Sequence, residues 1–134
     1  MYKNLNPAKY PRARRAKLND SPLEEVEQRN VVTYCAYANI PCFAIPNGGK
    51  RSKTEAARMV AQGVRPGVPD LMIPRAAGKY HGLFIEMKRE KGSTTSADQI
   101  AWIETLNAEG YYARVCKGFD EARETIELYM AGRL

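Results

Sequence analysis

Apolar positions along the chain follow helical spacing at its start. Ser21, Pro22 and Glu24 have the pattern of a capping box and predict a helix that runs from there to about Ala38. The apolar stripe of this helix is interrupted by one carboxylate, in the order Leu23, Glu27, Val31, Tyr34 and Ala38. Glu27 is therefore expected to point inward.

Short apolar runs further along predict four strands, at residues 42–45, 71–73, 83–87 and 111–115. Three helical patterns lie between and after these strands. The first runs from Ser52 or Thr54 to about residue 62, and the second runs from a capping box at Ser96 and Gln99 to Gly110. The third covers residues 120–130. Glycines between the second and third strands predict a hairpin. The order indicates an α/β (α+β) domain with a mixed four-stranded sheet flanked by helices.

Length and charge divide the chain into two parts. Its 134 residues, 44% of them hydrophobic, suit one domain, which we expect at residues 21–134. Six of the 21 Lys and Arg residues fall in the first 19 positions, whereas all 15 acids follow. Residues 1–20 are therefore interpreted as a flexible basic arm that suits a polyanion, although a merely solvated tail has the same composition.

The remaining composition excludes several classes. No apolar run is long enough for a membrane span or a secretory signal, and Pro7 and Pro11 disfavour a helical transit peptide. The cysteines, Cys35, Cys42 and Cys116, are odd in number and widely spaced. This pattern indicates reduced, buried thiols rather than disulfides or a zinc site. An intracellular, cytoplasmic protein of bacterial or phage origin is expected.

The residues with the clearest chemistry lie around the predicted hairpin. Pro69 favours extended geometry and brings Asp70 to the start of a strand. Sixteen residues later, Glu86 and Lys88 share one face of the next strand, because residues two apart in a strand point the same way. Hairpin pairing could place Asp70 beside them.

Two close carboxylates repel each other, and a raised pKa or a bound cation relieves the repulsion. Hard oxygen ligands, with Glu27 as a third acid, favour Mg²⁺ or Mn²⁺. Such a cation and a lysine are what phosphodiester hydrolysis requires, since they activate water and stabilise negative charge. Either motif alone is common, so the prediction depends on their combination.

This combination resembles the PD-(D/E)xK nuclease superfamily. Residues 45–51 and 63–71 resemble more closely its VRR-NUC branch, the virus-type replication-repair nucleases, and Gln99, Trp102, Leu106 and Gly110 are similar to that family's later helix. The resemblance covers about residues 23–115. It implies a restriction-endonuclease-like core.

The resemblance also implies roles for individual residues. Asp70 and Glu86 would ligate the metal, the carbonyl of Met87 would add a ligand, and Lys88 would be catalytic. Glu27 would be the family's helical acid, acting through metal-bound water.

Two of these assignments have alternatives. Glu24 is a rival for the role of helical acid, but the capping box already accounts for it and places it away from the stripe that carries Glu27. Gln99 is either a catalytic-site residue or only the third position of its capping box, and the two roles are compatible.

Basic residues precede Asp70. Lys50, Arg51, Lys53, Arg58 and Arg65, together with Arg12, Arg14 and Arg15 of the arm, are the candidate nucleic-acid-binding residues. A solvated helix face is the alternative for the first group. His81, the single histidine, has no partner motif and is expected at the surface.

The leading hypothesis is a metal-dependent DNA endonuclease that is specific for branched DNA, such as a four-way (Holliday) junction, in replication, recombination or repair. A two-fold symmetric junction needs two active sites, so a homodimer is expected. The alternatives are a non-catalytic nucleic-acid-binding module on a nuclease fold, and an unrelated basic protein whose motifs match by chance.

Overall fold

The computed structural model describes residues 23–46 and 52–134. Four helices and four strands follow one another there in the predicted order. The elements are α1 (Glu24–Tyr37), β1 (Phe43–Ala44), α2 (Lys53–Ala61), β2 (Leu71–Ile73), β3 (Leu83–Lys88), α3 (Ala97–Ala108), β4 (Tyr112–Lys117) and α4 (Phe119–Met130).

The four strands form one mixed sheet in the order β1-β2-β3-β4. β1, β2 and β3 pair antiparallel, which confirms the predicted hairpin, and β3 pairs with β4 in parallel. A parallel pair needs a long crossover, and α3 provides it between β3 and β4. The predicted fold class is therefore confirmed.

The hydrophobic core lies between the sheet and the pair of helices α1 and α4. Alternate residues of β3 enter it, and all six β3 residues are buried, so both faces of this strand are covered. The core side chains of the three elements include Val31 and Cys35 from α1, Ile85 and Met87 from β3, and Ile126 and Tyr129 from α4.

The starts of α2 and α3 follow the predicted capping chemistry. The Ser52 side chain accepts a hydrogen bond from the Glu55 amide, and Ser96 and Gln99 form the reciprocal capping box. Ser21 lies outside the described residues, and the residue that precedes α1 is Leu23, which supplies no side-chain cap.

Three strands differ in length from the prediction, and one of them, β3, ends at Lys88, one residue later than expected. β1 has only two residues, because it lies at the sheet edge and pairs with β2 over Phe43 and Ala44 alone. β4 continues to Lys117, because each of its six residues has a partner in β3. The parallel pairing thus extends as far as Lys88.

The outer edge of β4 is closed by a side chain of α3. Asn107 accepts a hydrogen bond from the Ala113 amide (2.9 Å) and donates one to the Ala113 carbonyl (3.0 Å). Its amide group thereby replaces a neighbouring strand at this position and attaches the end of α3 to the sheet.

We predict that Asn107→Ala lowers the free energy of unfolding by about 1–2 kcal/mol, because both backbone groups of Ala113 lose their partner. Urea denaturation would measure the change, with the exposed Glu104→Ala on the same helix as the control. Equal stability of the two variants would contradict this role.

Candidate metal centre

Three carboxylates converge at one end of the sheet. Glu24 is the first residue of α1, Asp70 precedes β2, and Glu86 lies within β3. One oxygen from each lies within 4.8 Å of the other two. Asp70 and Glu86 follow Glu24 by 46 and 62 positions in the sequence, and the fold gathers the three into one group of oxygen ligands.

Asp70 is held in place by two backbone contacts. Its carbonyl accepts a hydrogen bond from the Ile45 amide (2.8 Å), and its Oδ2 accepts one from the Met87 amide (2.8 Å). Asp70 is therefore attached to the segments on both sides of it, and its orientation is set before any ligand binds.

The Met87 carbonyl faces the same side of β3 as Asp70. The neighbouring carbonyl of Lys88 accepts from the Gly118 amide and so faces β4, and successive carbonyls of a strand alternate in direction. The register that pairs Leu71 with Ile85 sets Pro69 opposite Met87. Since proline has no N–H, strand pairing offers this carbonyl no donor there.

Glu86 is the most deeply buried member of the group, with 2% of its surface exposed. Its Oε1 accepts a hydrogen bond from Gln99 Nε2 (2.7 Å) and lies 3.7 Å from Lys88 Nζ. Burial, followed by the negative charge of Asp70, raises the pKa of Glu86 to about 8 from its ordinary value of 4.5.

The other two carboxyl groups share this perturbation. Burial raises the pKa of Asp70, although the Met87 amide and the Lys88 ammonium act in the opposite direction. Burial also raises the pKa of Glu24, with a further contribution from Asp70. Three acids that resist ionisation in one place form a site at which a cation would be stabilised.

The structure places Glu24, and not Glu27, beside Asp70 and Glu86. The sequence-based preference for Glu27 at this position is therefore corrected. Glu27 is buried as predicted, but its carboxylate accepts a hydrogen bond from the amide of Phe119, 92 residues away. The capping-box explanation of Glu24 fails as well, because Glu24 is the first residue of the helix and not the third.

Gln99 belongs to the capping box and also contacts the carboxylate group. Its side-chain oxygen accepts from the Ser96 amide in the capping box, and its side-chain nitrogen donates to Glu86. The helix cap therefore fixes the amide that orients the buried carboxylate.

Gly67 brings the loop before Asp70 into contact with the first turn of α3. Its φ is +86°, and a Cβ built there would lie 2.5 Å from the Asp98 carbonyl carbon and 2.7 Å from the Gln99 nitrogen. Only glycine fits both the conformation and the space. The Asp70 loop and the Gln99 helix are thus positioned against each other.

The predicted basic residues are described only in part. Lys53, Arg58 and Arg65 are exposed on or just after α2, which has no buried residue. Arg65 donates to the carbonyls of Val60 (2.8 Å) and Val64 (3.2 Å) at the end of that helix, so part of its role is structural. Lys50, Arg51, Arg12, Arg14 and Arg15 lie outside the described residues.

His81 and the three cysteines are not members of the carboxylate group. His81 is exposed and packs edge-on against Tyr111, with 5.6 Å between ring centroids. Cys35 and Cys116 are buried and Cys42 is half-buried, and all three are free thiols. These positions agree with the expectations from sequence.

The fold is restriction-endonuclease-like, as in PD-(D/E)xK nuclease domains. The model of the VRR-NUC domain family matches residues 23–120. A solved structure of a VRR_NUC domain protein has a TM-score of 0.74 and 32% identity, and the match covers 84% of this chain and 91% of that chain. No curated protein matches significantly. The chain belongs to the VRR-NUC family of nucleases.

Within residues 23–46 and 52–134, no helix is long and apolar enough to cross a membrane.

The raised pKa of Glu86 predicts how the stability of the metal-free protein depends on pH. Between pH 4.5 and about 8, the folded protein retains a proton that the unfolded chain has lost. Stability should therefore fall as the pH rises through this range. Urea unfolding in chelator at several pH values would measure it.

Glu86→Gln is the matched control, because its amide keeps an oxygen for Gln99 but does not ionise. It should flatten the dependence between pH 4.5 and about 8. A wild-type profile that coincides with that of Glu86→Gln would contradict the assignment.

Proposed function

We propose that this chain is a Mg²⁺- or Mn²⁺-dependent endonuclease that hydrolyses phosphodiester bonds in DNA. The observation that carries the proposal is the convergence of Glu24, Asp70 and Glu86, with Lys88 beside them. Family membership gives the general class, a nuclease. The metal dependence and the substrate are inferred from the chemistry of the site.

The donor set fits a hard divalent cation. Three carboxylate oxygens within 4.8 Å of one another, without a histidine or cysteine in the group, are typical of Mg²⁺ or Mn²⁺ sites and not of zinc sites. When bound, the cation lowers the pKa of water and neutralises the attacked phosphate. The carbonyl of Met87 is a suitable fourth ligand, because it faces Asp70 and lacks a strand donor opposite.

Glu86 is held by two neighbouring side chains. Its Oε1 accepts a hydrogen bond from the Gln99 amide (2.7 Å) and forms an ion pair with the Lys88 ammonium (3.7 Å). Held in this way, Glu86 would contribute a carboxylate oxygen to the metal. Gln99 is a positioning residue in this scheme, because its own oxygen is fixed by the Ser96 amide.

Lys88 provides a positive charge next to the metal ligands. It is 8% exposed at the end of β3, where its carbonyl is anchored by the Gly118 amide. An ammonium held there can orient the attacking water or stabilise the negative charge that develops on the phosphate. We assign it the catalytic role.

DNA binding is assigned to exposed cations that precede Asp70 in the sequence. Lys53 and Arg58 lie on α2, whose exposed surface leaves them accessible to a phosphate backbone. The basic arm, residues 1–20, would add contacts that do not depend on sequence. We further propose branched DNA as the substrate and a homodimer as the active form, since a symmetric junction requires two sites.

A second candidate function is a nucleic-acid-binding module without activity. The exposed basic residues of α2 agree with it. The buried carboxylates do not favour it, because acids near the phosphates weaken binding unless a cation neutralises them.

We predict that Asp70→Asn and Lys88→Ala reduce DNA cleavage by about 100-fold or more, because each removes a group that acts on the reacting phosphate or its metal. Plasmid, linear, flapped and four-way-junction DNA would be incubated with Mg²⁺, Mn²⁺ or chelator. Folding would be checked by circular dichroism.

Two neighbouring acids provide a matched comparison in the same assay. Glu24→Gln should reduce cleavage strongly, whereas Glu25→Gln should not, because Glu25 is exposed and pairs with Arg29. Wild-type protein that binds these DNAs but cleaves none of them with either metal would instead support the binding module.

Deletion of residues 1–19 should weaken DNA binding and reduce the slope of log K against log salt concentration, because fewer counterions are released. Fluorescence anisotropy at several salt concentrations would measure it, with Lys53→Gln/Arg58→Gln in the full chain for comparison. An unchanged salt slope after the deletion would rule out a DNA-binding arm.

A further inference from the structure

Glu27 is a buried acid whose contact lies outside the carboxylate group. It lies one turn after Glu24 on α1 and is 3% exposed. Its Oε2 accepts a hydrogen bond from the amide of Phe119, the first residue of α4. A carboxylate at this depth needs such a partner, since an unpaired buried charge is costly.

The amide of Phe119 needs an acceptor from outside its own helix. The first N–H groups of a helix have no intrahelical partner, and they are usually satisfied by the side chain of the residue before the helix. That residue is Gly118, which has no side chain. Glu27 therefore caps α4 from another helix, and its negative charge suits the helix N-terminus.

The same junction also holds the end of β3. The amide of Gly118 donates to the carbonyl of Lys88 (2.9 Å), and the next amide, that of Phe119, donates to Glu27. Two consecutive amides thus connect the strand that carries Glu86 and Lys88 to the first turn of α1. That turn begins with Glu24.

We propose that Glu27 is a positioning residue that places Glu24 in the metal centre. This inference rests on the proposed function of that centre. Residues three apart on a helix lie on neighbouring parts of its surface, so fixing Glu27 against Phe119 fixes the axial position and rotation of the turn that carries Glu24. Tyr34 of the same helix packs edge-on against Phe119 and is a second contact of α1 with that residue.

The experiment measures Mn²⁺ binding by electron paramagnetic resonance of free Mn²⁺, without DNA. Glu27→Ala should weaken binding about tenfold, the lower end of effects seen when a supporting residue of a metal ligand is removed. Glu27→Gln should keep most of the affinity, because its amide oxygen can still accept from Phe119. If Glu27→Gln and Glu27→Ala weaken binding equally, the inference is wrong.

A double-mutant cycle tests whether Glu27 acts through Glu24. In a Glu24→Gln background, Glu27→Ala should change Mn²⁺ affinity less than about twofold, because the ligand that it positions is already absent. A full tenfold loss in that background would overturn the inference. If Glu24→Gln itself leaves Mn²⁺ affinity unchanged, it is the proposed metal centre that fails.

Tyr34→Leu controls for a general loss of stability along the same contact. It removes the ring contact with Phe119 but leaves the Glu27 hydrogen bond in place. Thermal melts would be recorded for both variants. Where Tyr34→Leu and Glu27→Ala lower the melting temperature equally, we expect only Glu27→Ala to weaken Mn²⁺ binding. If both variants weaken Mn²⁺ binding equally, the positioning role is contradicted.

Discussion

The burial of carboxylates next to one another is the constraint around which this structure is organised. Buried Glu86 and half-buried Asp70 lie close together, where burial reduces the screening of their repulsion by water, and the pKa of each is raised. Such an arrangement weakens the fold unless other groups compensate. β3 itself contributes the Met87 amide and the Lys88 ammonium as compensating groups, and α3 contributes the Gln99 side chain.

Backbone geometry, more than side-chain packing, determines the shape of this site. Pro69 removes a donor opposite Met87, so the pairing of β2 with β3 ends where the carboxylates begin. The close approach of Gly67 to the first turn of α3 then positions the Asp70 loop against Gln99. A rigid sheet and a capped helix thus hold ligands whose mutual repulsion would otherwise separate them.

The first helix contributes two acids that differ in environment and in partner. Glu24 is half-buried and faces the other carboxylates, whereas Glu27 is buried against the start of α4. One turn of helix therefore presents one carboxylate to the group of acids and attaches itself to the rest of the domain through the other. Because the two acids are three residues apart, both lie close to the same strand end.

The sequence by itself determined the order of the eight elements, the mixed sheet and the proximity of Asp70, Glu86 and Lys88. These features follow from local rules, because turn residues, apolar periodicity and strand alternation act over a few positions. Gln99 was also identified, since its capping box is written in four consecutive residues. The roles of these residues in catalysis stay predictions.

Only the tertiary structure decided which acid of α1 faces Asp70 and Glu86 in the candidate metal centre. The apolar stripe correctly indicated that Glu27 is buried, but burial does not reveal the partner, which lies 92 residues away. The glycine before α4 was the one available signal, because it leaves the Phe119 amide in need of an outside acceptor. Side chains three apart on a helix differ in direction by only a fraction of a turn, so the packing of α1 against α4 had to select between them.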